Sequence, residues 1–397
     1  MKLFKLAIFN RSTADPDDQL YANSPSLDVR EAMKRQLPQW MQPLLTWVTA
    51  KPYAGQKPFR RSAMSHLVSA LVALGLGASL SWLGASMGGT AITLVPLGWF
   101  FSTYGTRKLR LMMLHFCSHN AVFERRVANF WLGEIISILT LSLSFKQYQQ
   151  QHTRFHHSRH LLEPGDETYE FLVNFVGLKP GMPVERLWRQ LWITLVSPKF
   201  HLRNLLQRLR ECFLSTDPKH NALAGGLWLL ILGLVAMAQC WMPFTLTFGV
   251  PLTVLLQISA LLQNCVEHRW LVPPQAGQRQ RRELGQLTVA VFLGEFPPVL
   301  PAAVSPIQRV VAWSYWTARM LFYHLPARAL VMMGDIPCHD YHHRHPGSKE
   351  WPNYIFARQA DGQGGSPGWP EPYQETWGLL EAMEETFQSL SQQPLLK

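Results

Sequence analysis

The chain has 397 residues, 47% of them hydrophobic and 16% charged, with 37 Lys and Arg against 26 Asp and Glu for a formal net charge of +11. A charged share well under the usual quarter or so excludes a disordered or supercharged polypeptide, and the length admits one large domain or two ordinary ones. The mean hydropathy of −0.02 is unremarkable only as an average, because charges are missing from two long blocks and crowded elsewhere.

Residues 1–64 read as a cytoplasmic or interfacial N-terminal segment. Lys2 and Lys5 flank an apolar run, Leu6 to Phe9, too short for the core of a cleavable signal. Leu27 to Ala50, with Trp40, Met41, Leu44, Leu45 and Trp47, predicts an interfacial helix broken at Pro38 and Pro43. From Leu67 to Thr106 there is no Asp, Glu, Lys, Arg or His. A membrane-spanning helix takes roughly 20 apolar residues, so this block predicts a transmembrane hairpin, with Gly84, Gly88 and Gly89 as its turn signal. Residues 127–145 are apolar except for Glu134, long enough to dip once into the bilayer edge. The second uncharged block, Asn221 to Val266, predicts another hairpin that turns at Trp241, Met242, Pro243 and Phe244. Hairpins of a soluble bundle rarely stay uncharged on every face for two full spans. Within 284–333, Pro297, Pro298, Pro301 and Pro306 interrupt any continuous span and predict short interfacial or re-entrant helices. A Gly- and Pro-rich linker, Asp361 to Pro370, leads to an amphipathic helix near Trp377 to Leu390, so 361–397 forms a tail to a central domain at 65–360.

Two hairpins return the chain to the side it left. Lys57, Arg60 and Arg61 precede the first block and Arg107, Lys108 and Arg110 follow it; Arg208, Arg210 and Lys219 precede the second and Arg269 follows it. Neither hairpin tip is charged, so the positive-inside tendency makes the basic segments cytoplasmic. The net charge then belongs near anionic lipid, and no nucleic-acid partner is expected. The five cysteines form no Cys-x-x-Cys pair, which suits a reducing compartment.

Fifteen histidines are present, and their spacing is informative. His115 and His119 form an H-x3-H; His152, His156 and His157 an H-x3-H-H; His268 ends an Asn264-x2-Glu267-His268 run; and His339, His342 and His343 form an H-x2-H-H. Residues three or four apart share a helix face, so each cluster aims imidazoles at one point. Imidazole suits iron, copper or zinc, and nine donors exceed the needs of one ion of four to six coordination, so two metals are implied. The charge flanks place all the clusters on one side of the bilayer. The fold class is therefore an all-α integral membrane protein, two transmembrane helical hairpins (four spans) with a helical cytoplasmic cap that carries the metal site. A metal transporter is the contrary reading; it should line a path across the bilayer with polar residues, and the uncharged blocks hold no His or carboxylate.

On these motifs the sequence resembles the membrane-bound fatty acid desaturase family, over roughly residues 65–360. His115-Phe-Cys-Ser-His119 is similar to that family's first histidine box, Asn129-Phe-Trp-Leu-Gly133, Ser137 and Phe145-Lys-Gln-Tyr148 to its approach to the second box at His152 to His157, and His339, His342 and His343 to its third. The resemblance implies a di-iron (Fe2+) centre held by His115, His119, His152, His156, His157, His268, His339, His342 and His343, with Asn264 contributing a water-mediated contact. It also implies O2 as oxidant, a fatty acyl lipid or thioester as substrate, a double bond as product, and an external donor of two electrons, ferredoxin-like or a haem protein. Membrane alkane hydroxylases share these boxes and the Asn-x2-Glu-His run, and hydroxylation or alkene-forming decarboxylation are the rival outcomes. The region after Trp270 lacks the further histidines expected of the hydroxylases, which favours the desaturase branch.

His160 and His345 read equally as outer hydrogen-bond partners of box histidines or as surface groups, and His324 as a site residue or a carbonyl partner. His66, His201 and His220 read as structural. Glu267, Asp340 and Glu163 are candidate carboxylates for orienting imidazoles, Asp166 and Glu167 read rather as solvated loop residues, and Glu134, alone in an apolar stretch, requires a buried partner. Arg154, Arg159, Arg203 and Arg208 are candidates for meeting an acidic head group, a donor protein or anionic lipid.

Overall fold

The structure, a computed structural model, describes residues 28–158, 160–271, 281–301, 303–369 and 371–394. Two short helices open it, α1 (Val29–Gln36), whose first turn is capped by Asp28 accepting from the Glu31 N–H at 2.9 Å, and α2 (Gln42–Thr49). Pro38 ends the first as expected, but Pro43 sits in the opening turn of α2, where its missing N–H has no partner to lose, so it starts a helix and does not break one. The expected start at Leu27 lies outside the described residues.

The first uncharged block forms α3 (Ala63–Met87) and α4 (Leu94–Lys108), antiparallel and in contact along their length. Ser62 Oγ caps α3, and the chain reverses at Gly88 and Gly89, both at positive φ (62° and 54°), where glycine avoids the Cβ penalty. Gly84 is not part of that turn. It lies inside α3, and a Cβ there would come within 2.8 Å of the Ala91 carbonyl. Gly77 and Gly98 likewise face Ser102 and Ser81 across the seam, and Gly105 faces the Ala70 carbonyl. Small residues let two helices approach closely where lipid supplies no hydrophobic drive between them.

The second block forms α10 (Pro218–Met237) and α11 (Trp241–Asn264). The reversal comes at Gln239 (φ 53°), earlier than expected, and Trp241 to Phe244 are already helical, because Pro243 in a first turn costs no hydrogen bond. Pro251, deeper in α11, opens a wide π-type turn, Pro251–Leu255, which absorbs the bond it cannot donate. Among the described residues three helices are long and apolar enough to cross a membrane, α3, α10 and α11. The fourth expected span, α4, has 15 residues but runs on without a break through a π segment, Leu109–Leu114, into α5 (His115–Ser118). Trp99 of α4 donates to the Leu246 carbonyl of α11 at 2.7 Å, joining the hairpins.

The apolar stretch around Glu134 is a single helix, α6 (Arg126–Leu139), followed by α7 (Phe145–Gln151). Glu134 is buried and finds two partners, His220 Nδ1 of α10 at 2.6 Å and the Phe145 N–H at 2.9 Å. Two amphipathic helices, α8 (Val184–Val196) and α9 (Pro198–Phe213), precede the second hairpin. Beyond it, Pro306 begins α12 (Pro306–Arg319) behind a Ser305/Gln308 capping box and does not interrupt a helix. Its outward face, Ile307, Val310, Val311 and Tyr315, is exposed and apolar.

The all-helical expectation needs one amendment. Strands β1 (Ala290–Phe292) and β2 (Glu375–Trp377) pair in parallel, Ala290 opposite Glu375 and Phe292 opposite Trp377. Toward the C-terminus lie α13 (His339–Arg344), α14 (Tyr354–Gln363), which takes up the start of the expected linker, and α15 (Leu379–Ser391). α15 has the expected amphipathic form: Leu379, Met383, Phe387 and Leu390 are buried against α8 and the β1 region.

Removing one partner of a buried pair typically costs about 3–5 kcal/mol. Glu134→Ala is therefore expected to lower the melting temperature of the purified protein by several degrees, and Glu134→Gln, which keeps an oxygen for the Phe145 N–H, by less; equal melting curves for wild type and Glu134→Ala would contradict this role.

Candidate metal centre

Wide helical turns deliver the ligand-type side chains. The π segment Leu109–Leu114 rotates the end of α4 so that α5 presents His115 and His119, and α7 opens into a second π segment, His152–His156, closed by the His157 N–H on the His152 carbonyl at 3.2 Å. Such turns recur at functional sites because they re-aim side chains without ending the helix. His268 follows the end of α11, and α13 carries His339, His342 and His343.

All nine histidines converge, in two groups. His115, His119, His152, His157 and His342 form one, and His156, His268, His339 and His343 the other, each with one nitrogen per ring within 4.8 Å of the rest. Boxes two and three are each divided between the groups. Within the first group Nε2 atoms meet at 2.8 Å (His115 and His342), 2.9 Å (His157 and His342) and 3.0 Å (His152 and His157). In the second they meet at 3.3 Å (His156 and His268) and 3.0 Å (His339 and His343). Nitrogens sharing one ion at about 2.1 Å per bond lie roughly 3 Å apart at right angles, so the donor set fits two metals. His119 Nε2 is buried with no hydrogen-bond partner among the described residues, as a ligand atom would be.

Burial keeps most of these rings in the metal-binding, neutral form. It pushes His115, His157, His268, His339, His342 and His343 well below the ordinary histidine value and His119 down to about 3, helped by neighbouring imidazoles. His156 goes the other way. Burial pulls it down, but Asp166, 3.2 Å from Nδ1, outweighs that and raises it to about 9.

Outer groups fix ring orientation. Asp166 is fully buried, accepts from the Thr168 and Tyr169 N–H groups and holds His156 Nδ1; Glu167, open to an adjoining cavity, holds His152 Nδ1 at 3.3 Å. Both are positioned groups, not the solvated loop residues expected. Tyr354 Oη lies 3.0 Å from His342 Nδ1, and Tyr148 stacks on His152 with centroids 5.5 Å apart. With Nδ1 engaged outside, Nε2 faces inward. Tyr354 had no signal in the sequence, standing eleven residues past the third box.

Several candidates lie elsewhere. Asp340 does not orient an imidazole; it is buried and gripped by Arg358 through both oxygens at 2.8–3.0 Å. Glu267 turns to the Gln263 amide. Asn264 donates to the Ala260 carbonyl of its own helix at 2.8 Å and lines the cavity. His160 pairs with Glu163 at 3.0 Å, His345 with Asp361 at 3.2 Å, and His324 Nδ1 accepts from the Gly294 N–H at 3.0 Å, so none of the three joins either group. His66 meets the Pro352 carbonyl, His201 meets Gln257 and the Leu195 carbonyl, and His220 meets Glu134, the structural roles expected of them. Arg208 is buried on the carbonyls of Thr140, Leu141 and Leu252, so it offers no free cation at the surface; Arg203 is exposed, with one N–H on the Phe175 carbonyl and its guanidinium over that ring; Arg154 is exposed, and Arg159 lies outside the described residues. Asn129 is buried and ties the Val122 and Phe123 N–H groups, fixing the loop between the first box and α6.

Against known families, the model described as Fatty acid desaturase matches residues 93–363, a span that holds all nine clustered histidines. No match to a curated protein accompanies it.

Losing an outer-shell partner of a metal-bound histidine typically costs roughly 10–100-fold in metal affinity. Asp166→Asn and Tyr354→Phe are expected to lower metal retained after chelator washing, Asp166→Asn by at least tenfold; elemental analysis of protein with unchanged melting behaviour checks this, and full retention in both would refute the orienting roles.

Proposed function

The chain belongs to the fatty acid desaturase family, and from that premise we propose that it is an O2-dependent di-iron enzyme introducing a carbon–carbon double bond into a fatty acyl substrate. Family membership makes it an oxidoreductase, and with three apolar helices of spanning length it is an integral membrane protein. The observation that carries the finer reading is the division of nine inward-facing imidazoles into groups of five and four. His115, His119, His152, His157 and His342 would hold one iron and His156, His268, His339 and His343 the other. Two ferrous ions supply, with O2, the oxidising power that an unactivated C–H bond requires.

The protein's own part is placement. α5, the end of α7 and α13 fix eight of the imidazoles, Asp166, Glu167 and Tyr354 hold the outer nitrogens of His156, His152 and His342, and buried Phe116, stacked on Trp351 at 4.4 Å, packs beside His115. The balance is that the substrate gives up two hydrogen atoms, that is two protons and two electrons, a separate ferredoxin-like or haem carrier supplies two more electrons, solvent supplies two more protons, and O2 leaves as two waters. In this proposal α4 with its continuation is the fourth span, and the basic flanks place the boxes on the cytoplasmic face. The reacting bond is chosen by where the chain lies over the irons, to within about an ångström.

Purified protein is expected to retain about two irons per chain. Cells making it should contain a new unsaturated acyl species by mass spectrometry that His156→Ala abolishes, a loss of at least 100-fold. An oxygenated or shortened product lost in the same variant would replace desaturation by hydroxylation or decarboxylation; a chain that retains no iron, or only exchangeable zinc, would overturn the reading.

A further inference from the structure

A cavity of about 300 Å³ opens beside the histidines and is bounded by His115, His152, His156 and His339. It lies between the cap ends of α4 and α11 and against α9. Its wall mixes apolar side chains, Leu111, Leu114 and Phe171 among them, with charged and amide ones. Arg107 and Arg208 also line it, but both are satisfied, Arg107 by Gln263 and the Leu330 and Val331 carbonyls, Arg208 by three backbone carbonyls. Arg110 is not. Of its five N–H donors, one makes a long 3.4 Å bond to Ser142 Oγ, and no other is engaged among the described residues. Gln257 is buried; its oxygen meets His201 Nδ1 at 3.0 Å, while Nε2 has no partner among the described residues.

The acceptors on this wall are differently placed. Glu167 is engaged by His152, Glu267 by Gln263, and Glu211 by Gln207 at 2.8 Å. Of the acceptors, Asn204 Oδ1 alone is both buried and without a partner among the described residues. The cavity thus offers unfilled donors from two elements, α11 and the turn that continues α4. A saturated hydrocarbon lodged there would strip those donors of water and return nothing, a penalty that discriminates strongly between ligands.

We propose that this compartment receives the oxygen-bearing end of the acyl substrate, a carboxylate or an acyl carbonyl, with Arg110 and Gln257 donating to it. Arg110 is then a specificity-determining residue, and oxidation falls on carbons close to that end, since the same cavity borders both groups of histidines. The inference rests on the reading of the chain as an acyl oxidase, and its test is a binding measurement that does not depend on turnover.

Full-length, iron-loaded protein in detergent is assayed by scintillation proximity with labelled hexadecanoic acid, its methyl ester and hexadecane. Wild type should hold the acid and the ester about tenfold or more tighter than the alkane. Arg110→Gln should weaken acid and ester about tenfold and leave hexadecane unchanged. Gln257→Glu keeps an oxygen for His201 and turns the donor into a carboxylate, so it should weaken the acid more than the ester. The acid and ester arms separate recognition of charge from recognition of a carbonyl. Equal binding of all three ligands by wild type, or Arg110→Gln affecting all three alike or none, overturns the proposal; if Arg110→Gln fails to fold, Gln257→Glu decides, and unchanged acid binding there overturns it. If the wild-type chain proves to retain no iron yet binds the acid and ester selectively with the same Arg110→Gln loss, the di-iron reading falls and this compartment stays assigned.

Discussion

Nine imidazoles must meet at two points in a dry interior, and the remainder of the molecule answers to that constraint. A buried imidazole is costly if charged and costly if its nitrogens go unmatched. Here the rings are crowded to Nε2 separations near 3 Å, and burial keeps all but His156 from carrying a proton at neutral pH. Such a cluster has no attraction of its own. Something must occupy the two points, and rigid mounts must hold the rings ready for it. The mounts come from four separate parts of the chain, so the centre also acts as the staple between the hairpins and the cap.

The third box shows how firmly one mount is fixed. Arg358 clamps Asp340 within α13 and reaches Glu375 of β2 at 2.9 Å, and Glu375 pairs with Lys51, which pairs with Asp28 at the cap of α1. His268 is held by its backbone: it bridges to Thr288, and Thr386 of α15 donates to its carbonyl at 3.4 Å. The N-terminal helices and the tail thus lie at the two ends of the chain yet act on ligand-bearing segments in the middle. That explains the two-stranded pairing of β1 with β2, which ties the tail to the segment following His268.

Much of this was legible before any coordinates, and unevenly so. Uncharged blocks announce hairpins because lipid tolerates no charge, and His spacing announces convergence because helix periodicity is fixed. Turn positions are less legible: Gly84 reads as part of the reversal but is a close-approach residue, and Pro43, Pro243 and Pro306 begin or lie in opening turns, since proline both ends and starts helices. The outer shell was least legible. Asp340 and Glu267 sit next to ligand-type histidines in sequence yet point elsewhere, while Asp166 and Tyr354, ten residues or more from their partners, do the orienting. Adjacency in sequence says little about which ring nitrogen a carboxylate meets, because that is set by the turn between them. The paired strands β1 and β2 were missed because three residues each leave no periodic signal.

The apolar hairpin and the histidine cluster are joined mechanically through α4. At Gly77, Gly84, Gly98 and Gly105 the two helices, α3 and α4, approach too closely for an added Cβ. That seam fixes the height and rotation of α4. Because α4 passes into α5 through a single π segment, with no loop between them, the same seam fixes His115 and His119. A hinge there would leave the first box free to follow solvent or lipid. A continuous helix makes its position a consequence of packing within the apolar hairpin, so small residues remote from the chemistry set where two of the nine imidazoles stand.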